Sequence, residues 1–203
     1  TGDYKPIFQN NIYGENGAMQ FNKEAGLPIQ RTSIALEENS LLANPADSLQ
    51  GLTVIMVVNF RGGETLFTTG GNVFTKGLTV KYTENQGLVV LRDGEKKWTI
   101  SNMGLGLNKL GILMIAWDKG RMTVYLNGRK VRTVLGTDQI APVSPSVLTI
   151  GSTDSGTEKG NFDLGELMIF KRTLLIEERR RIEKYLERKW GIHTGGVPLL
   201  LGF

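Results

Sequence analysis

Cleaving a glycosidic bond with retention needs two carboxyl groups about 5 Å apart, so the acids are the first residues to weigh. No Glu-x-Asp-x-Glu cluster occurs in the 203 residues. Asp163 and Glu166 lie three apart on an expected strand, where side chains alternate between faces, so they are expected to point opposite ways and not to share a substrate. His193 is the single histidine and cysteine is absent. That excludes an imidazole–thiol pair and would hang any serine triad on one residue near the C-terminus. Neither a nucleophile elbow nor a phosphate-cradling Gly-x-x-x-x-Gly-Lys-Ser/Thr loop is present. No catalytic residue and no cofactor are expected, and the chain reads as a non-enzyme.

Two kinds of binding chemistry remain. Asp154, Glu158 and Asp163 sit in or beside a polar loop at 152–161 and carry the hard oxygens that calcium takes. They lack the dense acidic spacing of a calcium loop, so the segment reads as a solvated glycine-containing loop and no metal is expected. Tyr82, Trp98 and Tyr125 are the candidate ligand-binding residues, because an outward-facing ring on a strand can stack on a sugar. Cross-strand aromatic pairs that simply stabilise a sheet explain the same residues, and this structural reading is the favoured one.

Short apolar runs separated by turn residues must position these side chains. Thr53–Phe60 (TVIMVVNF) is β-branched, too short for a helix, and ended by Arg61-Gly62-Gly63. Further strands are expected at 18–22, 33–37, 78–82, 88–92, 97–101, 110–117, 121–126, 129–135, 147–151 and 162–170. Asp93-Gly94 and Asn127-Gly128 suit tight hairpin turns. Met122, Val124 and Leu126 alternate with Arg121, Thr123 and Tyr125, as a half-buried strand requires. The period then changes. Leu175, Ile182, Tyr185, Leu186 and Trp190 fall on one helical face, and ten of the thirteen residues from 177 to 189 are charged. Leu175 stands where a capping serine or aspartate usually does, so the helix lacks that acceptor. Val54–Val58 and Ile112–Ala116 are apolar on both faces, so one sheet needs a cover beyond its partner sheet.

The expected fold class is all-β, a two-sheet antiparallel jelly-roll β-sandwich with one C-terminal amphipathic α-helix. Residues 1–50 are expected to form an irregular N-terminal part of it, 51–192 its core and closing helix, and 193–203 an apolar tail. In that tail Val197, Leu199, Leu200, Leu201 and Phe203 are costly to leave in water. They either fold back beside the helix or dock on another subunit, and the working expectation is the intermolecular contact.

The motifs Trp117-Asp118-Lys119-Gly120 with Val124–Gly128, Leu148–Ser152 with Phe162–Phe170, and Arg172-Thr173-Leu174 through Glu178-Arg179 and Ile182–Leu186 to Lys189–Ile192 occur in that order. Together they make 51–192 resemble the laminin-G-like, concanavalin A-like jelly-roll superfamily, in the form with a closing helix found in bacteria and phages. The resemblance implies the sandwich fold and only loosely a function, since lectins, glycanases, adhesion modules and virion proteins all use it.

The net charge of +4 is concentrated on one helix and one hairpin, where basic faces are ordinarily solvated, and nucleic acid is not an expected partner. No apolar run reaches the ~20 residues of a membrane-spanning helix. The absence of cysteine and of Asn-x-Ser/Thr sequons gives no sign of eukaryotic secretion and suits a bacterial or viral source. The chain starts at Thr1, as after removal of an initiator methionine, so the domain is expected to be nearly the whole protein. The functional expectation is a virion-surface protein of a bacteriophage, a capsid cement or decoration protein or a tail or fibre component, that associates with itself or with other virion proteins. The alternative is a carbohydrate-binding, lectin-like module of a bacterial surface or secreted protein.

Overall fold

The alternation along Arg121–Leu126 is realised literally: Met122, Val124 and Leu126 are buried in the inter-sheet core, while Tyr125 faces the other side of the sheet. The structure, a computed structural model, describes residues 6–21, 27–28, 51–63, 65–69, 78–83, 85–92, 96–101, 103–104, 106–118, 120–135, 148–152, 160–170 and 172–193. In chain order the strands are β1 (Ile7–Tyr13), β2 (Asn16–Phe21), β3 (Leu27–Pro28), β4 (Gly51–Gly63), β5 (Thr65–Thr69), β6 (Leu78–Thr83) and β7 (Gly87–Arg92). They continue with β8 (Lys96–Ile100), β9 (Leu110–Asp118), β10 (Arg121–Leu126), β11 (Arg129–Leu135), β12 (Leu148–Ile150) and β13 (Gly160–Phe170), and helix α1 spans Ile176–Trp190.

The strands form a seven-stranded sheet, β1-β2-β13-β4-β9-β10-β11, facing a six-stranded sheet, β3-β12-β5-β6-β7-β8. Every pairing is antiparallel. This is the expected β-sandwich with a C-terminal helix. The Asn127-Gly128 hairpin adopts the positive φ pair, 48° and 74°, that its sequence anticipates. Strands β1, β3 and β5 were not expected, the expected strand at 33–37 and the turn at 93–94 lie outside the described residues, and so does the C-terminal tail from residue 194.

Strand β4 is buried on both faces, which is why it reads as an unbroken apolar run. Leu52, Val54, Met56, Val58 and Phe60 enter the core between the sheets with Leu113, Ile115 and Trp117 of β9. Ile55 and Val57, with Ile112 and Met114 of β9, form a second core under Leu186, Trp190 and Ile192. Among the described residues, the extra cover that this face requires comes from the chain's own helix. The helix's packing face is also narrower than its sequence suggests. Ile182, Leu186 and Trp190 pack down, whereas Leu175 is exposed and Tyr185, 46% exposed, lies at the flank.

The helix start recovers the missing cap by another route. The backbone N–H of Leu175 donates to Glu178 Oε2 at 2.9 Å, and Arg172 grips both oxygens of Glu178 at 2.6 and 2.7 Å. That guanidinium, with the Leu175 N–H, holds the Glu178 carboxyl down at about 2. Thr173 Oγ1 donates to the carbonyl of Trp117 at 2.9 Å and Thr53 Oγ1 to that of Arg172 at 2.8 Å, which tie the approach to the helix onto β9 and β4. At the other end Gly191 takes the left-handed conformation, φ 63°, that closes a helix.

A bulge in β13 seats the far end of α1. Leu164 pairs with Val58 and Glu166 with Val57, so Gly165 is an extra residue. A Cβ there would fall 2.5 to 2.9 Å from three atoms of the Trp190 ring. Trp190→Ala is expected to cost about 3–5 kcal/mol, and Gly165→Ala roughly 1–3 kcal/mol by overpacking. In a urea double-mutant cycle the second substitution should cost almost nothing once Trp190 is alanine. Additive costs would show that the glycine is not there to admit the indole.

Candidate functional site

The bulge reverses one expectation. With one extra residue between them, Asp163 and Glu166 both lie on the helix-covered face of the seven-stranded sheet, not on opposite faces. Each is surrounded by donors from other elements.

Asp163 is fully buried and sits directly across from Asn59 of β4. Its Oδ2 accepts from Arg61 Nε at 3.0 Å, Arg61 Nη2 at 2.6 Å, Asn59 Nδ2 at 3.2 Å and the hydroxyl of Tyr13. Asn59 Nδ2 also donates to the Tyr13 hydroxyl at 2.6 Å. Burial, and then the adjacent Asp163 carboxylate, push the Tyr13 phenol above its ordinary value. Burial works against the Arg61 charge, yet the bond to Asp163 outweighs it and raises the guanidinium further. Removing Arg61 would strip two donors from the fully buried Asp163, whereas Arg61, 40% exposed, would remain solvated if Asp163 were removed.

Glu166 meets the end of α1. Its Oε1 accepts from Lys189 Nζ at 2.5 Å and Tyr185 hydroxyl at 2.9 Å, and its Oε2 from the Trp190 indole N–H at 3.1 Å. Burial alone would raise its carboxyl; the bonds from Lys189, Trp190 and Tyr185 hold it below the ordinary range. On the opposite flank Arg179 lies over the Tyr125 ring, 4.2 Å from its centroid, and 3.7 Å from Glu183 Oε1. Burial raises the Glu183 carboxyl, and Arg179 and Arg180 only partly oppose it.

Beyond these contacts the helix end, the β1–β2 turn and the β10–β11 turn enclose a cleft of about 700 Å³. Its walls include Tyr13, Asn16, Asn127, Trp190 and His193, with Leu110 below. Tyr13 meets Trp190 edge-on at 6.3 Å, and Asn16 Nδ2 donates to the Lys189 carbonyl at 2.5 Å. The cleft thus offers an aromatic edge, amide groups and backbone carbonyls at the negative end of the helix dipole. Sequence reasoning did not find it. Its residues come from three separate turns, and Gly14, with φ 64° in the two-residue β1–β2 turn, was the one local signal.

The three candidate aromatic residues do not form a platform. Tyr82 is 8% exposed and stacks on Phe60 at 4.2 Å inside the sandwich, so it does not face outward. Tyr125 is covered by Arg179, and Trp98 packs half-buried against the inter-sheet core from edge strand β8. Val197, Leu199, Leu200, Leu201 and Phe203 lie outside the described residues, as do Asp154 and Glu158. Among the described residues no group of three or more His, Cys, Asp or Glu is arranged to hold a metal, and no helix is long and apolar enough to cross a membrane.

The perturbed acids give the stability a definite pH dependence. Because the Glu166 value in the folded protein lies below the unfolded one, near 4.5, its contribution is present above that pH and is lost as pH falls through the folded value. Glu183 is raised, so its contribution is present in acid and lost as pH rises through its folded value. Urea midpoints measured between about pH 2 and 7 should fall less steeply in acid for Glu166→Gln than for the parent, and Glu183→Gln should gain relative stability toward neutrality. Parallel curves for all three would refute these environments.

Comparison with known proteins follows the geometry. Among curated proteins none matches the chain. Of solved structures, the receptor-binding domain of botulinum neurotoxin mosaic serotype C/D is similar with a TM-score of 0.62 at 13% identity, over 89% of this chain and 45% of that one. The binding domain of botulinum neurotoxin DC in complex with rat synaptotagmin II is similar with a TM-score of 0.56 at 15% identity, over 90% and 46%. Trypanosoma rangeli sialidase is similar with a TM-score of 0.56 at 17% identity, over 82% and 27%. This chain spans less than half the length of each, and at such identities the likeness is one of fold. The family model described as the concanavalin A-like lectin/glucanases superfamily, Laminin_G_3, matches residues 38–178, and the chain belongs to that family.

Proposed function

We propose that the domain is a non-catalytic binding module that works through protein–protein contacts on the surface of a virion, as a capsid cement or decoration protein or a tail or fibre component. The observation that carries the non-catalytic part is the use made of Asp163 and Glu166. Both acids face the helix-covered side of the larger sheet, and each is spent on holding elements together: Asp163 joins β1, β4 and β13, and Glu166 joins β13 to α1. A general acid and a nucleophile must be free to reach one bond. The cysteine-free chain and the exposed apolar residues Ile7 and Phe8 on an edge strand support an assembly role.

A second reading, a carbohydrate-binding module of a bacterial surface, is favoured by the cleft. Amide side chains beside an aromatic edge are what a neutral, hydroxyl-bearing ring requires. Two measurements separate the readings. Particles released from cells expressing the chain at its native locus should carry it in fixed ratio to the shell or tail protein; its absence from them, with saturable binding on a glycan array that Asn16→Ala and Asn127→Ala weaken, would replace the first reading with the second. Purified protein should not hydrolyse β-glucans or related polysaccharides. Turnover lost in Glu166→Gln or Asp163→Asn would contradict both.

A further inference from the structure

A sandwich of two open sheets has four edges, and each exposes a row of N–H and C=O groups that invites another strand. Three of the four carry a device against this. Strand β11 bears Arg129, Lys130 and Arg132 and is bulged opposite Val124 and Tyr125. Strand β8 opens with Lys96-Lys97. Strand β3 has two residues, one of them Pro28.

Strand β1 differs. Its seven residues, IFQNNIY, contain no charge and no proline, and among the described residues nothing pairs with its free edge. It carries an exposed apolar side chain on each face, Ile7 at 58% and Phe8 at 59%. The Phe8 ring lies over Gly17 of β2, where a Cβ would fall 2.6 Å from its Cζ. The strand is regular from Ile7 to Gln9, before the shift around Asn11 with φ 55° interrupts its pairing with β2.

We propose that β1 pairs antiparallel with β1 of a second copy about a two-fold axis, joining two seven-stranded sheets into one continuous sheet with the Phe8 rings opposed. The occupant follows from charge and symmetry. Two uncharged strands meet without repulsion, whereas two copies of β11 would bring six cations together. A two-fold pairing also satisfies both free edges at once and closes the assembly. This rests on the protein–protein reading above and names the surface for it.

The cysteine-free chain permits a direct test. Sedimentation equilibrium of the full chain should show a concentration-dependent rise toward twice 22.4 kDa. Phe8→Lys and Ile7→Lys, checked by circular dichroism to be folded, should each weaken association by about tenfold or more. Phe8→Cys should form a disulfide-linked dimer under mild oxidation, because Cα atoms of directly opposed residues lie about 4.5–5.5 Å apart, within the roughly 4.4–6.8 Å that a disulfide spans. Leu135→Cys, more exposed at 75% but at the end of β11, should crosslink far more slowly. A parent that stays monomeric at all concentrations, a dimer unaffected by both lysines, or equal crosslinking at positions 8 and 135 would overturn the inference. A monomer still carried in the particle fraction would remove this surface while leaving the protein-binding reading in place.

Discussion

The burial of β4 and β9 on both faces constrains everything else in the molecule. Ile55, Val57, Ile112 and Met114 face away from the partner sheet, and leaving four such side chains in water would cost about 1.5–3 kcal/mol each. Leu186 and Trp190 of helix α1, with Ile192 just beyond its end, answer this. An otherwise strongly charged helix, poor in apolar surface, is held because its apolar stripe meets the apolar face of β4 and β9 that the partner sheet leaves uncovered. Its ends are then fixed by polar contacts: Arg172 and Glu178 at the start, Glu166 with Lys189 and Trp190 at the finish.

Closing this face decides what it can do. With the helix in place a cleft remains at its end, and the two acids beneath are hydrogen-bonded to neighbouring elements. The bulge at Gly165 is central, because it admits the indole and turns Glu166 toward the helix in one step. The Tyr13–Asn59–Arg61–Asp163 network then ties the end of β1 into the middle of the sheet.

Much of this was legible in the sequence. The meander from Leu110 to Leu135 and the helix through Trp190 follow from period alone, and the doubly apolar β4 announced a missing cover. The acids were misread because alternation along a strand holds only without a bulge, and Gly165 in the middle of an apolar run was the available warning. Tyr82 was misplaced because a ring on a half-buried strand reads the same from either face until its partner, Phe60, is known. Strand β1 left no signal, since IFQNNIY alternates weakly and its order depends on Asp163, 150 residues from Tyr13 in the chain. Long-range polar contacts of this kind have no local pattern to betray them.

Native-state hydrogen exchange tests the dependence of the sheet on its helix most directly. Amides of Ile182–Trp190 and of the centres of β4 and β9 should open together, with the same free energy and denaturant dependence, because neither surface is stable without the other. Helix amides that exchange through a separate, much cheaper opening while the β4 and β9 amides stay protected would show that α1 is an appendage and that the face beneath it is available to ligands.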